Sequence, residues 1–124
     1  DRLQGEVSSL LLSNTTETIP IVNDVIKVGE MEIYPKNRRV IMQKKEVTLT
    51  PKEFDILYFL AENRGEVFTK EQIYRAVWSN DYLLDDSNIM AFIRKLRKKI
   101  EPDPDAPLYI LTIWGIGYKF NDQL

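Results

Sequence analysis

The 124-residue chain predicts an α+β fold: a four-stranded antiparallel sheet, then three helices, then a terminal β-hairpin. Three observations carry this expectation. Between Val25 and Leu49, short β-rich runs partly alternate apolar and polar residues and are separated by turn formers. From Thr50 to Ile100 the apolar period becomes helical, with two capping-box signatures. After a proline-rich break, "LYILTI" and "GYKF" flank "WGI", a hairpin pattern.

Residues 1–20 stand apart. Leu3, Val7, Leu10 and Leu11 have the spacing of a helix's last turns, and "SNTTETIP" reads as a polar linker, so the domain proper is expected over residues 21–124. The strand region divides into "VIKV", "MEIY", "RRVIM" and "EVTL", broken by Gly29, "PKN" and "QKK". Pairs such as Met31/Ile33 and Val40/Met42 mark one buried face. Thr50, Pro51 and Glu53 supply an N-cap, a first-turn proline and a capping-box acid. Phe54, Leu57, Tyr58 and Ala61 then share a face that Ile56 and Leu60 widen, and Gly65 stands where a C-terminal cap is expected. Thr69 and Gln72 repeat the box ahead of Ile73, Tyr74, Val77 and Trp78. The polar loop "SNDYLLDD" follows, and Asp85 or Asp86 caps a third helix running to about Ile100. The prolines of "EPDPDAP" stop it, and Gly115 and Gly117 are expected to make the hairpin turn.

Composition narrows the chemistry. There is no cysteine and no histidine, which removes disulfides, the commonest metal ligands and the commonest general base. No carboxylates are spaced as a catalytic pair, so no enzyme, cofactor or metal site is expected. No apolar run approaches the roughly 20 residues that span a bilayer. "DRLQGE" lacks the basic start of a signal peptide, so neither membrane nor export is expected.

The charge is unevenly placed. Seventeen basic and 19 acidic residues give a net −2, and residues 1–34 carry six acids against two bases. Yet five positive charges fall between Arg94 and Lys99, with no acid from Ser87 to Ile100. On a helical wheel, Ile89, Ile93, Leu96 and Ile100 form one stripe with Phe92 beside it. Ala91, Arg94, Lys95 and Lys98 point nearly opposite, and Arg97 and Lys99 fall on the flanks. A helix so anchored presents a basic edge, either a solvated face of an ordinary surface helix or a recognition surface. An α-helix fits the major groove of B-DNA, where such side chains reach phosphates and base edges. A short helix before it and a hairpin after it complete a winged helix-turn-helix arrangement.

The segments "VTLTPKEFDILYFLAENRGEVFTKEQIYRAVW", "DDSNIMAFIRKLRKKIEPDP" and "YILTIWGIGYKF" together closely resemble the effector domain of OmpR/PhoB-type response regulators. The likeness covers about residues 25–121, with four motifs in order: "LTPKEFDILYFLAENRG", "FTKEQIYRAVW", "IRKLRKKIE" and "TIWGIGYKF". It implies non-enzymatic, sequence-specific binding of double-stranded DNA by a two-component transcription factor. It also implies a preceding receiver domain, dimers on direct repeats, RNA polymerase as a further partner, and a cytoplasmic location.

The resemblance also implies residue roles. Lys95 lies at a base-reading position, and Arg94 and Arg97 at phosphate- or groove-facing ones. Lys98 either contacts phosphate or is simply solvated. Asn88 either bonds a base edge or caps the helix, and Ala91 lets a flat surface approach. In the wing, Thr112 contacts a base or backbone. Trp114, where many members carry Arg, either packs on sugar edges or sits in the turn. Thr69 and Lys70 open a helix whose N–H groups suit a phosphate. Trp78 either gives its indole N–H to a phosphate or closes the core. Asp81, Tyr82, Leu83 and Leu84 fall in the loop that meets RNA polymerase in the family, although the two leucines also suit a core. Ser87 and Phe92 replace the family's frequent Arg and His, and Met90 its Asp, so operator preference does not carry over. The rival reading is a winged-helix protein-interaction module whose basic face meets an acidic protein.

Overall fold

The computed structural model describes residues 25–78 and 87–124. The expected helix end and linker over 1–20, the caps Asp85 and Asp86, and the loop residues Asp81, Tyr82, Leu83 and Leu84 lie outside them.

Strands β1 (Ile26–Val28), β2 (Met31–Tyr34), β3 (Arg39–Met42) and β4 (Lys45–Val47) form the expected antiparallel meander in the order β1-β2-β3-β4. Its register pairs Met31 with Met42 and Ile33 with Val40, which puts their side chains on one face. All four are buried, while Glu32 and Ile41, paired across the other face, stay partly open. The β3–β4 turn is made by Gln43 and Lys44, both with positive φ (52° and 67°). This is the geometry for which Asn-Gly is preferred.

Helix α1 (Pro51–Glu62) begins with the full capping box: the Thr50 hydroxyl accepts from the Glu53 N–H and the Glu53 carboxylate from the Thr50 N–H. It buries Phe54, Ile56, Leu57, Leu60 and Ala61. Its C-cap is Asn63 rather than Gly65. Gly65, at φ +87°, instead donates its N–H to the Phe120 carbonyl and so fastens the far end of the chain. Helix α2 (Lys70–Val77) opens with the second box, Thr69 with Gln72. Helix α3 runs Ser87–Ile100.

Two further strands, β6 (Ile110–Ile113) and β7 (Gly117–Phe120), make the hairpin. The sequence reading missed β5 (Val67–Phe68), which pairs with β7 and turns the hairpin into a three-stranded sheet, β5-β7-β6. Two residues are too few to show a period. Gly117 also differs from expectation. The turn is 114–116, with Gly115 at φ +82°, and Gly117 lies in β7. A Cβ on Gly117 would stand 1.9 Å from the Phe68 carbonyl oxygen, so glycine there permits the β5–β7 approach.

One hydrophobic cluster joins the two sheets and the three helices. Ile89, Ile93, Leu96 and Ile100 of α3 are at most 2% exposed, and at about 1.5–3 kcal/mol each their burial outweighs any surface contact of the helix. A hydroxyl also ties the sheets: that of Tyr109 accepts from the Glu30 N–H at 3.0 Å, beneath the turn at Gly29.

Candidate nucleic-acid interface

The buried stripe of α3 fixes which way its other residues point. Asn88, Met90, Ala91, Arg94, Lys95 and Lys98 are exposed. Among the described residues neither Arg94 nor Lys98 has an ion-pair partner, and the Lys95 ammonium lies 5.9 Å over the Phe92 ring. The helix therefore offers three outward cations around the small Ala91. Lys99, on a flank, turns back instead. Its ammonium meets the Glu53 carboxylate at 2.7 Å, and Glu53 is 2% exposed. Burial by itself would raise the Glu53 pKa, but Lys99 and the Thr50 N–H and hydroxyl outweigh it and hold the carboxyl below its usual value.

Arg97, expected at a phosphate- or groove-facing position, is engaged within the chain. It is half-buried, donates from Nε and Nη2 to the Ile110 carbonyl at 3.2 and 2.8 Å, and from Nη2 to the Thr112 hydroxyl at 2.7 Å. Its guanidinium also lies 5.7 Å from the Tyr118 ring centroid. Burial lowers its pKa, while nearby Tyr118 and Glu101 oppose the shift. The physical reason is position: on the flank of α3, Arg97 reaches the hairpin's first strand, whose carbonyl on that side has no strand to bond. Thr112 is thereby drawn into an internal contact as well.

The hairpin stands beside the cationic face. An open cleft of about 780 Å³ separates them, lined among others by Arg94, Lys98, Thr112, Trp114 and Lys119. At the tip, Trp114 is 88% exposed and Ile116 57%, so the hairpin projects an apolar end. Lys70 brings the start of α2 to the same region, its ammonium 4.0 Å from the Met90 sulfur. Thr69 is exposed, with its hydroxyl accepting from the Gln72 N–H. Trp78 is half-buried: it caps α2, stacks on Tyr74 at 5.0 Å, meets Phe92 at 5.4 Å and lies under the Lys52 ammonium.

Sequence reasoning missed one residue that shapes this surface. Glu101, 6% exposed, closes α3, and its carboxylate accepts the N–H groups of Leu108, Tyr109 and Ile110 at 2.7–3.1 Å. No local pattern announces a side chain whose partners lie seven to nine residues ahead.

The comparisons with known proteins fit this geometry. The family described as "Transcriptional regulatory protein, C terminal" matches residues 44–120, more than half of the chain. The chain belongs to this family, that of OmpR/PhoB-type effector domains. Among curated relatives, the uncharacterized transcriptional regulatory protein YcbL of Bacillus subtilis is 45% identical over 103 residues, covering 83% of this chain and 46% of the relative. The alkaline phosphatase synthesis transcriptional regulatory protein PhoP of the same organism is 36% identical over 97 residues, with 78% and 40% covered. The chain thus spans less than half the length of these relatives. Among solved structures, the Thermotoga maritima response regulator DrrB, described as an OmpR/PhoB homolog, superposes with a TM-score of 0.72 at 38% identity, covering 79% of this chain and 44% of that one. The Klebsiella pneumoniae RstA DNA-binding domain, solved in complex with the RstA box, gives 0.71 at 29%, with 78% and 96% covered. Among the described residues no helix is long and apolar enough to cross a membrane, and no cluster of acidic side chains is arranged to hold a metal ion.

Proposed function

We propose that this chain binds double-stranded DNA sequence-selectively as the effector domain of a two-component response regulator, and regulates transcription by doing so. The observation that carries the reading is the two-sidedness of α3. Four buried apolar residues fix the helix, and Arg94, Lys95 and Lys98 project from its opposite side beside a hairpin. In this reading Arg94 and Lys98 neutralise phosphates, Lys95 reaches base edges, and Asn88 and Ala91 line the major-groove approach. Thr69 and Lys70 meet the flanking backbone, and Trp114 brings the hairpin tip to the adjacent minor groove. The packing around Trp78 supports a structural part for that residue.

Three finer points belong to the same proposal. Two such domains occupy a direct repeat when a phosphorylated receiver raises their effective concentration, so this chain alone is a weak-binding monomer. Residues 81–84 meet RNA polymerase. The protein works in the cytoplasm, where its DNA is, and performs no catalysis.

Selection of duplexes from a random pool tests the reading, followed by titration of the selected duplex over a salt series. The expected result is an enriched motif, an affinity that falls steeply with salt, and relaxed selection for Lys95→Ala. A pool that stays random, with binding to an acidic protein instead, would replace this reading with the interaction-module one.

A further inference from the structure

We propose that Arg97 and Glu101 form a clasp that sets the angle between α3 and the hairpin, which makes Arg97 a positioning residue and not a phosphate contact. The inference rests on the DNA-binding reading above and adds to it how two reading elements are held as one body.

Arg97 lies on α3 and Glu101 just past its end, where the Glu101 N–H still donates to the Arg97 carbonyl, so the two side chains, four apart, share the hairpin-facing side. Between them they take both backbone groups of one residue. The Ile110 N–H donates to the Glu101 carboxylate at 2.8 Å, and the Ile110 carbonyl accepts from Arg97 at 2.8 Å. These are the bonds a neighbouring strand would make, and β6 lies at the edge of its sheet. Arg97 also reaches the Thr112 hydroxyl at 2.7 Å, two residues along and hence on the same side of the strand. Three of the guanidinium's five N–H donors are thus committed to the hairpin. A planar fork suits this job, because it spans two acceptors at fixed geometry; an ammonium cannot. Any movement of the hairpin relative to α3 must break these bonds together.

The test uses this chain and a duplex it has itself selected from a random pool. Wild type, Arg97→Ala, Arg97→Lys and Thr112→Val are titrated over a salt series, and each complex is mapped by hydroxyl-radical cleavage. A clasp predicts that both Arg97 variants weaken binding about tenfold at fixed salt, and that lysine does not rescue. It predicts an unchanged slope of log affinity against log salt, and loss of the flanking protection with the central protection kept. Thr112→Val shifts in the same direction, by about threefold. A phosphate contact predicts the reverse: the Arg97→Ala slope falls by about one and Arg97→Lys recovers affinity. That result, or variants that bind and protect as wild type does, overturns the clasp. Should Arg97→Ala not fold, as judged by circular dichroism, the lysine and valine variants decide the matter. If wild type shows no selective, salt-sensitive binding, the DNA reading itself fails and the clasp has no angle to set.

Discussion

Replacing Gly117 with alanine should detach β5 from the hairpin. The added Cβ would lie 1.9 Å from the Phe68 carbonyl oxygen, 2.8 Å from its carbonyl carbon and 2.9 Å from the Thr69 Cα. These are backbone atoms, so no side chain can rotate away, and β5 must move by about 1 Å or more to reach a contact that dispersion and repulsion tolerate. β5 has two residues and two ladder pairs, Val67 with Lys119 and Phe68 with Tyr118. Loosening both costs about 1 kcal/mol for each bond lost. Phe68, 8% exposed and 4.6 Å from the Phe59 ring, then forfeits part of its burial, about 1–2 kcal/mol more. The total is about 3–4 kcal/mol. Gly115→Ala is the matched control: nothing lies within 4 Å of its Cβ, and only its φ of +82° is disfavoured, at about 1–2 kcal/mol. Urea denaturation followed by far-UV circular dichroism measures both. Equal losses for the two variants, or a Gly117→Ala protein within about 0.5 kcal/mol of wild type, would refute the close-approach argument.

Other consequences are open to measurement. Lys99→Met leaves the buried Glu53 carboxylate without its cation and should cost about 2 kcal/mol at neutral pH, less than a fully buried pair because Lys99 is 37% exposed. Because the folded Glu53 pKa is depressed, its stabilising share is present above the unfolded value and is lost as pH falls through the folded one. The wild-type advantage over Lys99→Met should therefore shrink in urea titrations run below about pH 4.5. Asn-Gly in place of Gln43-Lys44 relieves two positive-φ residues and should raise stability by about 1 kcal/mol, seen as a melting temperature about 4–8 °C higher. Trp114→Ala removes an 88% exposed side chain, so the melting curve should stay put while affinity for the selected duplex drops about five- to tenfold. Its salt slope should not change, since no charge is lost.

The parts of this molecule that the sequence displays are those whose cause is local or periodic. Both capping boxes formed where Thr50/Glu53 and Thr69/Gln72 stand, because a box is written within four residues. The α3 stripe was readable because the 3.6-residue period decides which side is buried, and it left Arg94, Lys95 and Lys98 outward. The meander followed from alternation. Hidden features depended on contacts distant along the chain. Lys99 and Arg97 are both flank cations on the wheel, yet one turns to a carboxylate 46 residues back and the other to a carbonyl 13 residues ahead. Gly117 looked like a turn residue because its requirement comes from Phe68, which no pattern near residue 117 reveals. A family likeness transfers positions, but whether a given cation is free depends on which acceptors this chain happens to place beside it.

β6 has the sequence Ile-Leu-Thr-Ile, strongly strand-forming and uncharged, and it lies outermost in its sheet. Such a border recruits strands from other molecules unless something blunts it. The borders of the other sheet are three-residue strands bearing the exposed lysines Lys27 and Lys45, the usual deterrent. Here the deterrent is occupancy: the side chains of Arg97 and Glu101 already hold the Ile110 N–H and carbonyl that an intruding chain would need. The guarding of this edge and the fixed posture of the hairpin thus follow from the same hydrogen bonds.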